Sequence, residues 1–347
     1  MNKELNISVV IPAFNAEKTI GQCLVSVCEQ TRKPLEVIVV NNKSADQTKR
    51  IVLEFIDKHQ DIAACCVDEY RQGPSFARNC GAKLAKGDIV AFIDADCVAD
   101  ASWLRLVSES FGGSDVGAVA GSIIGFDRRT LIGKFHSLFT MRRLPESTMF
   151  HEFKLVSGGF PTANLAVRKT LFEEIGGFSE DMPFYAEDYD LCARIYSKEH
   201  HIYYNREVIV FHQHRQDVGS TWRQSYGFGS GHAPLLKRHF RRMVIVEAPR
   251  LLYISEKWPL RAWLDMASAD KKFMLCLILS GLWWPFSMVL PAYLIMLYRD
   301  IGRRLKLEHI DADPRDKWGM VFLLLFKSLA MTSGRLTGSL RHGVICF

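Results

Sequence analysis

Two aspartates that follow a long apolar run are the clearest chemical feature of the sequence. The run IVAFID (89–94) is apolar until Asp94, and Asp96 stands two positions later. On an extended segment the side chains at i and i+2 point the same way, so these carboxylates could share a divalent cation and its bound diphosphate. Such hard oxygen ligands suit Mg²⁺ or Mn²⁺. The alternative is a pair of solvated turn residues, but the preceding apolar run favours the metal site.

A second group of acids lies in FYAEDYDLCARI (184–195). We predict that Asp188 faces a crevice as a general base, and that Glu187 or Asp190 holds the surrounding geometry. We also expect Glu187 to contribute to acceptor binding. In the alternative, these acids only cap the first turn of an amphipathic helix and interact with its dipole.

Other polar candidates stand in a loop and at a strand end. Asn164 lies in GGFPTANLAVRK, whose paired glycines permit close approach to a ligand, and its amide could hydrogen-bond the acceptor. His212, in VFHQHR, follows a strand-like stretch and could be a metal ligand or a diphosphate contact. His214 and Arg215 are further candidates. The alternatives are an ordinary loop and structural histidines.

The first hundred residues predict the elements that position these groups. Short apolar runs alternate with helix-period stretches, which is typical of an α/β fold with a mostly parallel sheet. The runs lie at 7–14, 35–40, 62–67 and 89–94. Because the fourth run is apolar throughout, it should be a central strand buried on both faces. Ser44 and Gln47, after the second run, match a capping box at the start of a helix.

Polar residues follow three of these predicted strands, and in a parallel sheet they converge on one crevice at the carboxyl edge. The groups that meet there are Pro12, Phe14 and Asn15, then Asn41 and Asn42, then Asp94 and Asp96. Neither GxGxxG nor GxxxxGK[ST] occurs, which argues against a dinucleotide or P-loop cradle. A diphosphate bound at this edge would therefore need a metal ion to neutralise it.

Composition and charge bound the function further. The 347 residues are 48% hydrophobic, which excludes a wholly disordered chain. The net charge is +6, but residues 235–347 hold 18 basic and 9 acidic side chains, so the rear of the chain favours an anionic phospholipid surface over nucleic acid. Nine cysteines without a CxxC pair, and no signal-peptide pattern at the start, indicate a cytoplasmic catalytic part.

The rear of the chain also contains apolar segments. Residues 273–298 include no charge and as one helix would extend about 39 Å, more than the ~30 Å hydrocarbon core. Basic residues on both sides and the central Trp283-Trp284-Pro285 fit a re-entrant hairpin, and a tilted span and a buried soluble helix are the alternatives. Residues 320–340 could be a second span or an interfacial helix. KRHFRRM (237–243) fits either an anionic-lipid contact or a solvated basic face.

Five segments carry a resemblance to a known family. They are ISVVIPAFNAEKTI, VIVVNNKSADQT, GPSFARNCGAKLAKGDIVAFIDADC, GGFPTANLAVRKTLFEEIGGF and EDYDLCARI, within about residues 6–215. In order and approximate spacing they resemble the family 2 glycosyltransferases, a large inverting group with the glycosyltransferase A fold. The resemblance implies one Rossmann-like catalytic domain, which we place at 1–235, and a helical, membrane-associated region at 236–347.

The same resemblance implies roles for individual residues. It implies a nucleotide-diphosphate sugar donor, Mg²⁺ or Mn²⁺ at Asp94 and Asp96, and a catalytic base that maps onto Asp188. Residues that it places in or near the nucleoside pocket are Pro12, Phe14, Asn15, Glu17, Asn41, Asn42, Arg78 and Asp94.

The chain departs from the family pattern at Asn41, where such proteins usually have an aspartate. An amide can still accept a hydrogen bond but carries no charge, so the usual preference for a uridine donor does not carry over with this residue. The QxxRW motif of processive synthases does not occur. Instead, residues 222–239 resemble the Tyr-Gly-x-Gly stretch of non-processive members, which favours transfer of one sugar.

These features predict a metal-dependent, inverting glycosyltransferase at the cytoplasmic face of the cell membrane, anchored by the C-terminal region. Asp188 would take the proton of an acceptor hydroxyl on a lipid-linked or cell-surface glycan precursor, and the cation held by Asp94, Asp96 and His212 would stabilise the leaving diphosphate. One alternative is a catalytically inactive membrane scaffold, which would have no use for three converging acids. Another is a nucleotidyltransferase, which typically needs a glycine-rich basic loop after the first strand.

Overall fold

The computed structural model of the protein describes residues 5–140, 143–154, 157–182, 184–214, 217–248, 251–256, 260–282 and 288–347. Two compact units divide the chain. The first consists of Met1–Phe126 and Arg142–Gln213, and the second of Asp127–Met141 and His214–Phe347.

One mixed sheet forms the centre of the first unit. Its strands within the described residues are β1 (Ile7–Ala13), β2 (Glu36–Asn41), β3 (Ala64–Asp68), β4 (Ile89–Phe92), β5 (Cys97–Ala99), β6 (Val116–Gly125), β7 (Thr148–Phe150), β8 (Leu165–Arg168) and β9 (His201–His212). They lie in the order β3-β2-β1-β4-β8-β6-β9-β5, and β7 pairs with β9. Strands β1 to β4, β6 and β9 share one direction, while β5, β7 and β8 run against it. The predicted α/β fold with a mostly parallel sheet is confirmed.

Helices cover this sheet and bury its central strands. They are α1 (Ile20–Cys28), α2 (Thr48–Lys58), α3 (Pro74–Leu84), α4 (Trp103–Ser110), α6 (Lys169–Glu174) and α7 (Glu187–Tyr196). All four residues of β4 are buried, as the continuous apolar run predicts. Phe92 packs between the rings of Phe172 and Phe178, at centroid distances of 5.6 and 5.2 Å. Each fully buried phenylalanine contributes about 1.5–3 kcal/mol, so the strand that carries the acids is firmly held.

The predicted capping box is wrong. Helix α2 begins at Thr48 and its N-cap is Gln47. The Ser44 hydroxyl accepts a hydrogen bond from the Asn15 backbone N–H at 3.1 Å, and therefore joins the loops that follow β1 and β2. The first turn of α2 is held by Asp46, whose Oδ1 accepts from the Thr48 N–H at 3.0 Å.

The second unit is largely helical, as predicted for the C-terminal region. Its helices are α5 (Leu131–Phe139), α8 (Val218–His239), α9 (Ala269–Leu282), α10 (Val289–Leu307) and α11 (Pro314–His342). It also contains a small sheet that the sequence analysis did not predict, formed by β10 (Val244–Ala248), β11 (Leu251–Ser255), β12 (Ala262–Asp265) and β13 (Ile345–Cys346) in the order β11-β10-β12-β13. The compact units divide after Gln213, earlier than the functional boundary that we expect at 235.

Glycines bring α8 and α11 into close contact. A Cβ atom on Gly229 would overlap the carbonyl oxygen of Met331, and one on Gly334 would overlap that of Tyr226. The Tyr-Gly-x-Gly stretch thus has a structural use, because it lets the backbones of two long helices approach each other.

The apolar segment 273–298 is not one straight helix. The Tyr293 hydroxyl donates to the carbonyl oxygen of Ala269 at 3.1 Å. In a continuous helix these residues would lie about 36 Å apart, so α9 and α10 are separate helices that lie side by side. The tilted single span is therefore wrong, and the predicted break at Trp283-Trp284-Pro285 lies outside the described residues. Within those residues, one helix, Pro314–His342, is long and apolar enough to cross a membrane.

Candidate active site

The strand order reverses between β1 and β4, which makes the carboxyl edge of these strands a ligand crevice by topology. Phe14 and Asn15 follow β1, and Asp94 follows β4 by two residues. The parallel ladder pairs Val10 with Phe92, so β1 and β4 end at the same edge of the sheet and β1 extends three residues further. The sequence prediction that these polar groups meet at one edge holds for β1 and β4.

Arg78 joins the two groups of acids that are far apart in the sequence. It lies on α3 with 5% of its surface exposed. Its Nη2 donates to Asp94 Oδ1 at 2.9 Å, and its Nη1 donates to Glu187 Oε1 at 2.9 Å. Burial alone would lower the pKa of Arg78, but these carboxylates outweigh it and raise that pKa above its usual value. The arginine therefore stays charged and holds α7 against the end of β4.

Glu187 is a positioning residue in this arrangement. Its side chain is buried, and burial raises its pKa while the Arg78 guanidinium opposes that shift. The prediction that Glu187 holds the local geometry agrees with this contact. The predicted contact with an acceptor needs correction, because the carboxylate faces Arg78 and only 6% of the residue is exposed.

Asp188 differs from its neighbour because it forms no ion pair among the described residues. It is partly exposed, and its Oδ1 accepts from the Tyr189 N–H at 2.8 Å. Burial and the nearby Glu187 carboxylate raise the pKa of Asp188 to about 8, against the opposing effect of Arg78. A carboxylate with such a pKa binds a proton more strongly than an ordinary aspartate, as a general base must.

The start of α7 fixes where these acids lie. Ala186 precedes the helix in a left-handed conformation, with φ of 70°. One turn later, Asp190 Oδ2 accepts from Ser179 Oγ at 2.6 Å and from Arg194 Nε at 2.9 Å. Asp190 is fully buried and structural, but it bonds these two side chains, and the N-cap of α7 forms no side-chain capping hydrogen bond.

Asp94 and Asp96 do not lie on an extended segment. The Cys97 N–H donates to the Asp94 carbonyl oxygen at 3.0 Å, so residues 94–97 form a turn. The predicted i, i+2 alternation is wrong here, since β4 ends at Phe92 and β5 begins at Cys97. Asp94 Oδ1 binds Arg78, whereas Asp96 lies beside His212.

A group that could hold a cation forms around Asp96. His212 Nε2 lies 3.4 Å from Asp96 Oδ1. The ligand atoms of Asp96, Cys97 and His212 lie within 4.8 Å of one another. Carboxylate and imidazole groups at this spacing fit a divalent cation such as Mn²⁺. The sequence analysis missed Cys97, although a strand that begins at this residue places it opposite His212.

Asn164 is a structural residue, and its predicted contact with the acceptor is a second correction. It is buried in a short 3₁₀ helix, Thr162–Asn164. Its Nδ2 donates to the carbonyl oxygens of Ser122 and Val208, both at 2.9 Å, and its Oδ1 accepts from Trp103 Nε1 at 2.9 Å. Both amide hydrogens are used within the fold.

Asn42 also serves the fold instead of lining a nucleoside pocket. Its Nδ2 donates to the carbonyl oxygens of Glu69 and Arg71, at 3.0 and 2.7 Å. Its Oδ1 accepts from the Gly73 N–H at 2.8 Å. The predicted contact of this buried amide with the nucleotide-sugar donor is therefore corrected as well.

Asn41 meets a carboxylate from the neighbouring strand. Its Nδ2 donates to Asp68 Oδ1 at 2.8 Å, at the last residue pair of the β2–β3 ladder. Asp68 also pairs with Lys49 at 2.6 Å, and its pKa is lowered by hydrogen bonds from Asn41 and Lys49. Asp68 therefore supplies a charge next to the position where the family usually has its aspartate, a contribution that the sequence analysis missed.

The loop after β1 contains most of the remaining residues predicted to contact the nucleotide-sugar donor. Phe14 is 47% exposed, and its ring is available for stacking. Asn15 Oδ1 accepts from the Ala45 N–H at 2.8 Å, and Glu17 Oε2 accepts from the Gln47 N–H at 3.0 Å. Pro12 lies within β1. The donor contacts of these four residues stay predictions.

His214 and Arg215 are the further candidates in the VFHQHR stretch. His214 belongs to the second unit, where its ring stacks on His136 at a centroid distance of 4.8 Å. Arg215 lies outside the described residues.

Known proteins that are similar to this chain include glycosyltransferases. A sequence profile described as Glycosyl transferase family 2 matches residues 8–176. A probable glycosyltransferase of Bacillus subtilis, YdaM, is 28% identical over 260 residues, which cover 72% of this chain and 61% of that protein. An Escherichia coli protein named UDP-Glc:alpha-D-GlcNAc-diphosphoundecaprenol beta-1,3-glucosyltransferase WfgD is 31% identical over 129 residues, or 37% of this chain and 50% of that protein.

Among solved structures, the mannosyltransferase PcManGT of Pyrobaculum calidifontis, in complex with GDP-Man and Mn²⁺, covers 94% of this chain with a TM-score of 0.56 and 19% identity. The alignment covers 87% of the Pyrobaculum chain. The protein thus has the glycosyltransferase A fold, and its residues 8–176 match the family 2 glycosyltransferase domain.

Proposed function

We propose that the protein transfers one sugar, with inversion, from a nucleotide-diphosphate sugar to a hydroxyl of a lipid-linked or cell-surface glycan precursor. The Arg78 bridge is the observation that carries this proposal. One guanidinium binds Asp94, next to the cation-binding group, and Glu187, next to Asp188. Arg78 thereby keeps the residues that would stabilise the leaving diphosphate close to the residue that would accept the proton of the incoming hydroxyl.

Asp188 is the general base of this reaction. It accepts the proton of the acceptor hydroxyl as that oxygen attacks the anomeric carbon opposite the leaving diphosphate. Glu187 is committed to Arg78, so Asp188 is the acid of the pair that can accept a proton. A single carboxylate base without a nucleophilic partner fits single displacement, which inverts the anomeric configuration.

Asp96 and His212 are the residues that fit Mg²⁺ or Mn²⁺, and Asp94 contributes through the oxygen that Arg78 leaves available. When bound, the cation neutralises the charge that develops on the diphosphate. Phe14 stacks on the nucleobase, with Pro12, Asn15 and Glu17 around it. Asp68 and Asn41 together take the place of the usual aspartate.

A membrane-bound acceptor is supported by the second unit. Four consecutive side chains of the edge strand β11, residues 251–254, are 49–59% exposed, and all are apolar or aromatic. Met274, Leu275, Leu277 and Ile278 of α9 are exposed to a similar degree. Apolar surface of this extent, in a region with excess positive charge, fits an anionic lipid surface. The name of the Escherichia coli relative, which describes an undecaprenol-linked acceptor, points the same way.

The cytoplasmic face is the side of the membrane that we propose. All nine cysteines lie within the described residues and none forms a disulfide, which fits a reducing compartment. The alternatives of a membrane scaffold and of a nucleotidyltransferase have no comparable support.

The test uses the full chain in lipid nanodiscs with anionic lipid. A panel of nucleotide sugars is screened for Mn²⁺-dependent release of the nucleoside diphosphate, and the active donor is then offered with a lipid-diphosphate-linked sugar. We expect Asp188→Asn to lower turnover by about 10²–10⁴-fold with little change in donor affinity. The matched control, Asp61→Asn, changes an exposed acid before β3 and should behave as wild type.

Retained turnover in a folded Asp188→Asn variant would remove the base role. Absence of metal-dependent release with every nucleotide sugar would overturn the proposed function. Retention of the anomeric configuration in the product, read by NMR, would contradict single displacement.

A further inference from the structure

Three side chains of different chemistry come together where β5 meets β9. Cys97 and His212 are directly opposite each other in this antiparallel pair, which places their side chains on the same face. Cys97 Sγ lies 3.8 Å from Asp96 Oδ1, and His212 Nε2 lies 3.4 Å from the same oxygen. The group is open to solvent at Asp96, whose side chain is 40% exposed, while Cys97 is fully buried.

Two of these three separations are close to the edges of a tetrahedral site, and the third is within 4.8 Å. With bonds of about 2.3 Å to sulfur and about 2.0 Å to nitrogen or oxygen, tetrahedral Zn²⁺ places an N–O pair about 3.3 Å apart and an S–O pair about 3.5 Å apart. The observed 3.4 and 3.8 Å differ from these values by only a few tenths of an ångström. Mg²⁺ has no use for the sulfur, because it takes hard oxygen ligands in octahedral geometry.

We propose that Asp96, Cys97 and His212 form an inhibitory site for a thiophilic cation, with Zn²⁺ as its natural occupant. On binding, the Cys97 thiol gives its proton to the buffer, a metal–sulfur bond forms, and a coordinated water leaves. The site shares Asp96 and His212 with the proposed Mg²⁺ or Mn²⁺ site, so the two kinds of cation exclude each other.

Inhibition follows from the coordination number. Three protein ligands leave a tetrahedral cation one open position, whereas a hexacoordinate cation with three protein ligands keeps three positions for a diphosphate and water. The inhibitory effect rests on the proposed function, but cation binding itself does not.

Cobalt provides a direct probe, because tetrahedral Co²⁺ bound to a thiolate absorbs strongly in the visible range and shows a sulfur-to-metal charge-transfer band. Co²⁺ is titrated into the full chain without sugar donor, and Zn²⁺ is then added to displace it. We expect both absorptions at one equivalent. Cys97→Ser should abolish the charge-transfer band and weaken Zn²⁺ binding at least about tenfold, which is about 1.4 kcal/mol.

Cys23→Ser is the matched control. Cys23 is equally buried, and its Sγ lies 3.5 Å from the Asp94 carbonyl oxygen, but it is not part of the cation-binding group. This variant should keep the full spectrum. If Cys97→Ser does not fold, X-ray absorption at the zinc edge of the wild-type protein decides the matter, since it should find one sulfur ligand.

A weak octahedral Co²⁺ spectrum, or zinc bound by nitrogen and oxygen alone, would overturn the inference and mean that Cys97 is only a small buried apolar residue. In an active preparation, micromolar Zn²⁺ should compete with Mn²⁺. If Mn²⁺-dependent transfer occurs without zinc inhibition, the inference fails and the proposed function stands. If the cobalt spectrum appears but no transfer is found, the cation site stands and the proposed function fails.

Discussion

The buried amides and the carboxylates of the first unit use their hydrogen-bonding groups in opposite ways. Asn42 and Asn164 each donate two hydrogen bonds to backbone carbonyls and accept one more, so both amides are satisfied by the fold. Around Arg78, by contrast, the carboxylates of Asp94 and Glu187 together carry more negative charge than one guanidinium neutralises, and Asp188 adds a third carboxyl group that exchanges a proton. The amides hold loops in place, and the excess negative charge is what can bind a cation or accept a proton.

The largest expected effect concerns the bridge between the acids. Arg78→Met should lower the free energy of unfolding by about 3–5 kcal/mol at pH 7, because it leaves Asp94 and Glu187 near each other without their partner. Chemical denaturation followed by circular dichroism measures this loss. The control is Arg105→Met, whose exposed pair with Glu109 should be worth about 0.3–0.5 kcal/mol.

A loss below about 1 kcal/mol in Arg78→Met would mean that Asp94 and Glu187 do not depend on the arginine. The carboxylates around Arg78 would then be as well satisfied without their partner as the buried amides are within the fold. The same variant should bind Mn²⁺ differently from wild type, since Asp94 would lose the group that engages one of its oxygens.

Much of this arrangement could be predicted from the sequence. The run at 89–94 predicts a buried central strand, and the acids after it are found at the expected edge. The sequence could not predict which polar groups form hydrogen bonds within the fold, because their partners are distant in sequence. Asn164 finds Trp103 and Val208, and Arg78 finds Glu187, across separations that no local pattern records.

Local geometry was the other limit. A turn at 94–97 directs Asp94 to Arg78 and places Cys97 beside Asp96 and His212 in the cation-binding group. An i, i+2 spacing indicates an extended segment when no glycine or proline interrupts it, but aspartate is itself a common turn residue. In the second unit, by contrast, the sequence of the uncharged stretch at 273–298 favoured a reversal, and the contact of Tyr293 with Ala269 agrees with one.

The next effect concerns a satisfied amide. Asn164→Ala should lower the free energy of unfolding by about 2–4 kcal/mol, because it leaves the Trp103 N–H and two carbonyl oxygens unpaired in the core. Thermal and chemical denaturation measure the loss. Below its melting temperature the variant should keep the wild-type KM for the acceptor. A raised acceptor KM without loss of stability would restore the acceptor role predicted from the sequence and contradict the structural one.

The smallest expected effect is the pH dependence of Asp188. Its pKa of about 8 means that the carboxylate form, which the proposed role as general base requires, is a minor species at neutral pH. We expect kcat/KM to rise about tenfold per unit up to about pH 8 and then level off. Initial rates between pH 6 and 9.5 at constant ionic strength measure this rise in kcat/KM. Mn²⁺ titrations at pH 6 and at pH 9.5 check that cation occupancy does not change with pH.

Stability should change with pH in the opposite direction. Because the pKa of Asp188 is higher in the folded protein than its ordinary value of 3.8, the folded state binds the proton more tightly. The contribution of Asp188 to stability is therefore fully present below about pH 4 and is lost as the pH rises through about 8. Asp188→Asn should remove this part of the slope. An Asn variant with an unchanged slope, or an activity limb near pH 4, would mean that Asp188 titrates as an ordinary exposed acid and that the excess charge around Arg78 is compensated elsewhere.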